Sequence, residues 1–447
     1  MKLTKIKTKK STTRLIAFGF ATIILIGALL LCLPFSIREG SPNFLEALFT
    51  ATSATCVTGL VVVDTYQHWS VFGKFVIFCL IQVGGLGFMT IGVYVAVAFK
   101  KRIGLQQRET LHESVNTLEI AGVVRLTKYI IQGTLLIEAI GAILLSIRFI
   151  PQKGFVKGLA YGVFHSVSAF CNAGFDLMGE KQAFCSLVDY EGDILVNVVI
   201  MSLIIIGGIG FIVWDDVARN KWYFKKYLLH TKIVLITTAI LTIGGTILFL
   251  IVENDHTLAG MTLTEKICGA VFSAVTPRTA GFNTVDTGAL SNAGKLLTIF
   301  LMFIGGSPGS TAGGVKTTTL IVILFYAVAM IRNRQDINVF KRRLPEEAVK
   351  KANAVVVINT SAALIVGFLI MAMQQFSFNQ VLFEVFSAIG TVGMTEGITR
   401  DLNTVSRVLI IILMYAGRLG SLSFALMFAQ SKKTDLVRQP EEKIVVG

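Results

Sequence analysis

Four short stretches of this 447-residue chain carry residue types that could hold a small charged solute. They read Ser53-Ala54-Thr55-Cys56-Val57-Thr58-Gly59-Leu60, Ser168-Ala169-Phe170-Cys171-Asn172-Ala173-Gly174-Phe175, Val275-Thr276-Pro277-Arg278-Thr279-Ala280-Gly281-Phe282 and Ser387-Ala388-Ile389-Gly390-Thr391-Val392-Gly393-Met394. Three of them begin Ser-Ala. All four place glycine six positions later, followed by a large apolar residue. The chemistry such a stretch offers is coordination by backbone carbonyls. Glycine permits angles that a β-carbon forbids, and rings of carbonyl oxygens can replace the hydration shell of a potassium ion. Any one of these glycines read alone would serve close helix packing. Four in register favour a filter.

Two further features could act on the same solute. The run Gly305-Gly306-Ser307-Pro308-Gly309-Ser310-Thr311-Ala312-Gly313-Gly314-Val315-Lys316 stands where a membrane helix is due, yet its glycines and proline cannot sustain one. Irregular backbone at membrane depth belongs beside a cavity, so this run is expected to be a movable gate beneath the third loop. It also imitates a phosphate loop, but Val315 puts Lys316-Thr317 one residue out of register and no strand precedes it. Arg418 lies near mid-membrane, where a charge is costly and points to function. It is expected either to face the pore as an electrostatic barrier or to pair with Glu138. Lys316 either neutralises helix ends or a carboxylate, or adds to the barrier.

Other reactive residues form no pattern. The six cysteines offer no CxxC pair and no ligand spacing. The five histidines are scattered, with His165 expected to be a packed, hydrogen-bonded residue. Glu180, Asp189, Glu191 and Asp193 are expected to edge the outer mouth, where they would concentrate cations.

The elements that position these residues follow from hydropathy. The chain is 53% hydrophobic and 15% charged, against about 25% charge in soluble domains. Apolar segments fall near 14–35, 69–98, 128–149, 193–217, 232–252, 291–331, 352–373 and 404–430, each long enough to cross about 30 Å of hydrocarbon. The first is too long for a cleaved signal peptide and lacks a small-residue cleavage site. Between paired spans lie apolar segments too short to cross, near 43–60, 158–175, 265–282 and 379–394. The four loop glycines are spaced about a quarter of the chain apart. The second span of each pair carries its own echo: Gly84-Gly85-Leu86-Gly87, Gly207-Gly208-Ile209-Gly210, Gly305-Gly306-Ser307-Pro308-Gly309 and Gly417-Arg418-Leu419-Gly420.

The expected fold is therefore all-α and integral to the membrane, with four covalently linked membrane–pore-loop–membrane repeats around one pseudo-fourfold pore. The repeats are 14–98, 128–217, 232–331 (broken at 305–317) and 352–430. A tail at 1–13, loops at 99–127, 218–231 and 332–351, and a tail at 431–447 lie on one side. Four short helices ending near one axis would aim partial negative charge at it. The formal net charge is +14, and 28 of the 41 Lys and Arg fall on the side of the tails. That marks a cytoplasmic face and both termini within it. The basic excess suits anionic lipid rather than nucleic acid.

The loop set, Thr391-Val392-Gly393 and the run Thr276 to Asn283 resemble the Ktr/Trk/HKT superfamily of potassium transporters over the whole chain, and within it the KtrB-type membrane subunit. The resemblance implies potassium uptake across the inner membrane through one filter formed by Val57, Thr58, Gly59 and Leu60, by Asn172, Ala173, Gly174 and Phe175, by Thr279, Ala280, Gly281 and Phe282, and by Thr391, Val392, Gly393 and Met394. It supports the gating role of 305–316 and the pore-facing role of Arg418. Potassium at the filter carbonyls is the implied ion, with sodium as an activator and no organic cofactor. Gly59, where sodium-admitting plant relatives tend to carry serine, leans towards potassium. The implied partners are a second copy of the chain, with the tail at the interface, and a cytoplasmic nucleotide-binding RCK (KtrA-like) ring. That ring would dock on 100–128, 332–351 and 432–447. Two other functions remain: a sodium-conducting transporter of the same fold, and an integral-membrane enzyme, which would need converging acids, histidines or a metal set.

Overall fold

A computed structural model describes residues 12–38, 40–87, 90–92, 123–334, 336–428, 440 and 442. The expected tail interface, and nearly all of the docking loop 100–128, lie outside the described residues. The chain is helical, and its helices recur in threes. Each set holds a long first helix (Thr12–Leu31, Val123–Lys153, Leu229–Val252, Glu346–Met373), a short helix (Phe44–Thr55, Phe155–Phe170, Leu263–Val275, Phe378–Gly390) and a second helix (Val71–Leu86, Ile194–Gly208, Asn292–Phe303, Thr404–Leu419). A two-stranded hairpin, Asn338–Val339 paired with Arg342–Arg343, is the only sheet among the described residues.

Among the described residues the four first helices are the ones long and apolar enough to span a membrane unbroken, and the bent pair Ile194–Gly208 and Phe211–Asn220 makes a fifth span if counted as one. Their outward faces expose large apolar side chains, including Phe18, Ile143, Ile240, Ile243 and Phe368. In water such a surface would be an aggregation hazard, and in lipid it is the natural solvent.

The second helices start by a shared rule. Ser70, Asp193, Ser291 and Asn403 stand at the four N-caps, and each side-chain oxygen accepts from the amide three residues on, at 3.2, 3.1, 3.0 and 2.8 Å. Such a bond satisfies one of the amides that a helix start leaves unpaired. The second helices also stop by a shared rule, and here the structure differs from expectation. Only the third was read as broken, yet all four end at the glycine echo. The last glycine of each echo has φ of 78° (Gly87), 96° (Gly210), 66° (Gly309) or 83° (Gly420). In the second repeat the chain turns by 95° there. A left-handed residue closes an α-helix, which is the place of Gly87, Gly210 and Gly420; in the third repeat the helix already stops at Phe303 and Gly309 lies within the irregular run.

Candidate functional site: four glycine loops and the loop beneath them

Each short helix runs straight into its glycine loop. Two residues per loop carry positive φ: Val57 (50°) and Gly59 (93°), Asn172 (57°) and Gly174 (68°), Thr279 (76°) and Gly281 (83°), Thr391 (51°) and Gly393 (93°). Alternating handedness turns successive carbonyls to one side of the strand. A β-branched residue such as Val57, Thr279 or Thr391 does not adopt this region readily, and such strain persists where the surroundings impose it, often at functional sites.

The amides of the loops point back into the protein. Thr58, Ala173 and Val392 donate to the carbonyls of Ser53, Ser168 and Ser387, each at 2.8 Å. Gly59 and Gly393 donate to the hydroxyls of Ser53 and Ser387 at 3.0 and 3.1 Å. In the third loop Ala280 donates to Thr276 O at 2.9 Å. The serine of the Ser-Ala repeat therefore has a role that its type alone did not disclose. The carbonyls are treated differently. Among the described residues none donates to a carbonyl of 57–59, 172–174, 279–281 or 391–393. Buried carbonyls are normally paired, so these unpaired oxygens are the defining feature of the site.

The fourth residue of each quartet packs instead. Leu60, Phe175, Phe282 and Met394 are buried. The carbonyls of Phe175 and Phe282 accept from Ser168 Oγ at 2.7 Å and Thr276 Oγ1 at 2.5 Å.

The loops meet as a closed ring. A β-carbon on Gly59 would lie 2.7 Å from Ala173 O, on Gly174 2.7 Å from Ala280 O, and on Gly281 2.5 Å from Val392 O. One on Gly393 would strike Thr58 O. Each glycine abuts the carbonyl just before the next repeat's glycine, so the repeats follow one another around the ring in chain order.

The irregular run 304–316 lies on the inner side of these loops. It opens with a parallel bridge between Ile304 and Val315, with Gly305 donating to Val315 O at 2.8 Å and Thr317 to Gly306 O at 3.1 Å. Its contacts fall on repeats two and four, the neighbours of repeat three in the ring. Thr311 Oγ1 donates to Phe170 O at 3.1 Å, and Ser307 to Gly208 O at 3.0 Å. Phe211 donates to Gly309 O at 2.7 Å. A β-carbon on Gly313 would strike the Thr391 side chain, and one on Gly314 would lie 3.0 Å from Gly390 O. Lys316 Nζ folds back on the carbonyls of Ala312 (2.7 Å) and Gly313 (3.1 Å), so it neutralises its own loop.

Arg418 faces this run. Its guanidinium donates to the carbonyls of Thr311, Gly84 and Gly85. Among the described residues it has no carboxylate partner. Glu138 instead accepts from Gln82 Nε2 at 3.1 Å and contacts Cys171 Sγ at 3.8 Å, behind the second loop. Arg278, behind the third loop, donates to Thr242 Oγ1 at 3.0 Å. His165 is buried, with Nδ1 2.7 Å from Tyr161 O and Nε2 accepting from the Leu177 amide at 3.2 Å.

On the opposite face of the ring, a cavity of about 180 Å³ is lined by Gly59, Gly174, Gly281 and Gly393 together with Asp64, Asp176, Asp286, Glu396 and Arg400. These carboxylates, not those of the 180–193 insertion, edge the mouth. Glu180 is held by Lys153 and Lys157 at 2.9 and 2.6 Å, which keep its carboxyl down at about 2. Asp193 caps its helix and pairs with Arg148.

A profile of the TrkH cation transport protein family matches residues 2–437, and the chain belongs to that family. It is a multi-pass membrane protein of a family of transporters, not of enzymes. It is similar to the potassium/sodium uptake protein NtpJ of Enterococcus hirae, 43% identical over 99% of both chains. It is also similar to the Ktr system potassium uptake protein B of Bacillus subtilis, 42% identical over 97% of this chain and 96% of the relative. Its fold matches the crystal structure of the potassium transporter TrkH from Vibrio parahaemolyticus with a TM-score of 0.72, at 18% identity, over 96% of this chain and 87% of that one.

Proposed function

We propose that this chain takes up potassium across the cell membrane through a filter made by the four glycine loops. The observation that carries the reading is the set of unpaired carbonyls at 57–59, 172–174, 279–281 and 391–393, around one closed ring of glycines. Oxygens that lack protein donors are free to replace the water of a cation. The relatives' names, potassium uptake and potassium/sodium uptake, agree with that ion. The run 305–316 and Arg418 form the gate on the inner side. Opening it requires the bonds from Arg418 and Thr311 to break, since they tie the run to the first and second repeats. Sodium acts as a regulator or second cargo. A cytoplasmic nucleotide-binding ring and a second copy of the chain complete the assembly, in line with relatives named as parts of a Ktr system.

The test is uptake of rubidium-86 into sealed proteoliposomes carrying the full chain, competed by potassium, sodium and lithium. Competition by potassium but not lithium supports the reading. Equal competition by all three, or competition by sodium but not by potassium, overturns the potassium assignment.

A further inference from the structure

Each repeat delivers one carboxylate to the outer cavity shortly after its glycine: Asp64 five residues after Gly59, Asp176 two after Gly174, Asp286 five after Gly281 and Glu396 three after Gly393. Acids at a mouth could be a solvated rim, so their bonding decides what they can do. Asp64 is spent on structure, since its oxygens accept from the amides of Tyr66 (2.9 Å), Gln67 (2.8 Å) and Phe184 (2.8 Å). Asp176 and Asp286 each use one oxygen, on Met178 and Gly288, both at 2.9 Å.

Glu396 is different. Its side chain is only 4% exposed. One oxygen pairs with Lys295 Nζ at 2.7 Å, while Oε1 is buried with no partner among the described residues. A buried carboxylate oxygen left bare is costly unless something completes it. Among the described residues no three acids come together tightly enough to ligate a stripped metal ion. The space of about 180 Å³ is roomy enough for several waters.

We propose that this vestibule is a second cation site, outside the filter, that holds a hydrated cation against Glu396, Asp286 and Asp176. Such a site selects by charge and not by size. It therefore accepts a hydrated divalent cation such as magnesium, which there competes with the transported ion. The inference rests on the filter reading for the role of the cavity as the entrance, but its measurements are separate.

The experiment measures initial rubidium-86 uptake against external rubidium, with and without external magnesium, in proteoliposomes of the full chain. Removing one carboxylate about 7 Å from a cation in a water-filled mouth should raise KM about threefold. Asp286→Asn and Glu396→Gln are expected to show that rise, with kcat and the potassium, sodium and lithium series unchanged and magnesium inhibition weakened. Lys295→Gln, which strips the cation from Glu396, should lower KM and strengthen inhibition. Opposite shifts from the two halves of one ion pair cannot come from misfolding, because loss of the pair would harm both alike. The proposal is overturned if KM is unmoved in the two acid variants, if Lys295→Gln shifts KM in the same direction as Glu396→Gln, or if magnesium inhibition is not competitive. An altered filter is read apart from this: Gly281→Ser should change the competition series and leave magnesium inhibition in place.

Discussion

Replacing Gly281 by serine puts a side chain at one of the tightest points of the ring. Gly281 has φ +83°, a region that costs an ordinary residue about 1–2 kcal/mol. Its β-carbon would lie 2.5 Å from Val392 O, 3.2 Å from the Gly174 α-carbon and 3.3 Å from that of Gly393. Ordinary contact begins near 3.4 Å, so the Val392 carbonyl must retreat by about 0.9 Å (3.4 less 2.5). The far side of the loop cannot absorb this easily. Val392 and Gly393 are anchored by their amides, which donate to Ser387 O at 2.8 Å and to Ser387 Oγ at 3.1 Å. The carbonyl therefore moves relative to the other oxygens, by more than the difference in radius between sodium and potassium ions. If displacing one oxygen removes about 1.4 kcal/mol of the preference for potassium, discrimination falls tenfold. The assay is rubidium-86 uptake into proteoliposomes, competed in turn by potassium, sodium and lithium. The ratio of inhibition constants for sodium and potassium should shrink by about that factor in a variant that still purifies as folded protein. A Gly281→Ser protein with an unchanged competition series would refute the assignment of these glycines to ion discrimination.

Three further outcomes are expected. Arg418→Gln loses the bonds to Thr311, Gly84 and Gly85 and removes a charge from the inner side of the ring, so rubidium flux should rise several-fold; flux at or below the parent's would speak against a barrier. Gly313→Ala drives a methyl into Thr391 and should impair both gating and uptake, with potassium–sodium discrimination altered as well, whereas Ser310→Ala removes two bonds within the run, to Ser307 O at 2.7 Å and from the Ala312 amide at 3.2 Å, and should leave discrimination intact. Asp176 titrates near pH 7, because burial and the neighbouring Asp64 raise its carboxyl more than the Met178 amide lowers it. It is protonated below that pH and charged above it, so KM for rubidium should fall as external pH rises from 6 to 8, and Asp176→Asn should flatten the profile.

Much of this architecture is legible in the chain. Long apolar segments, four glycine loops in register and a run that cannot be helical define repeats and loops by composition alone. What escaped depends on three-dimensional neighbours. Gly87, Gly210 and Gly420 close short glycine-containing clusters inside apolar stretches, where small residues usually serve close helix packing. Only their matching place at the end of the echo hinted that the helices stop there. The mouth was sought at Glu180 to Asp193 because those acids cluster in sequence, whereas Asp64, Asp176, Asp286 and Glu396 are scattered singly and meet only when the ring closes. Arg418 invited a carboxylate partner on charge alone. It found carbonyls instead, because the second helix of repeat one ends at Leu86 and leaves the oxygens of its last turn, Gly84 and Gly85 among them, without helical partners.

The closed ring has a consequence for how such a protein can change over generations. In a pore made of four identical chains, every substitution in the filter is made four times over, and its energetic effect is multiplied accordingly. Here Gly59, Gly174, Gly281 and Gly393 are separate codons. A mutation alters one quadrant, and an effect worth about 1.4 kcal/mol in a symmetric pore can be taken in steps of about 0.35 kcal/mol. On the proposed filter, single-chain construction thus lets ion preference drift gradually, and it lets one quadrant, such as that of Asn172 with its amide side chain, depart from the others while the remaining three hold the ring.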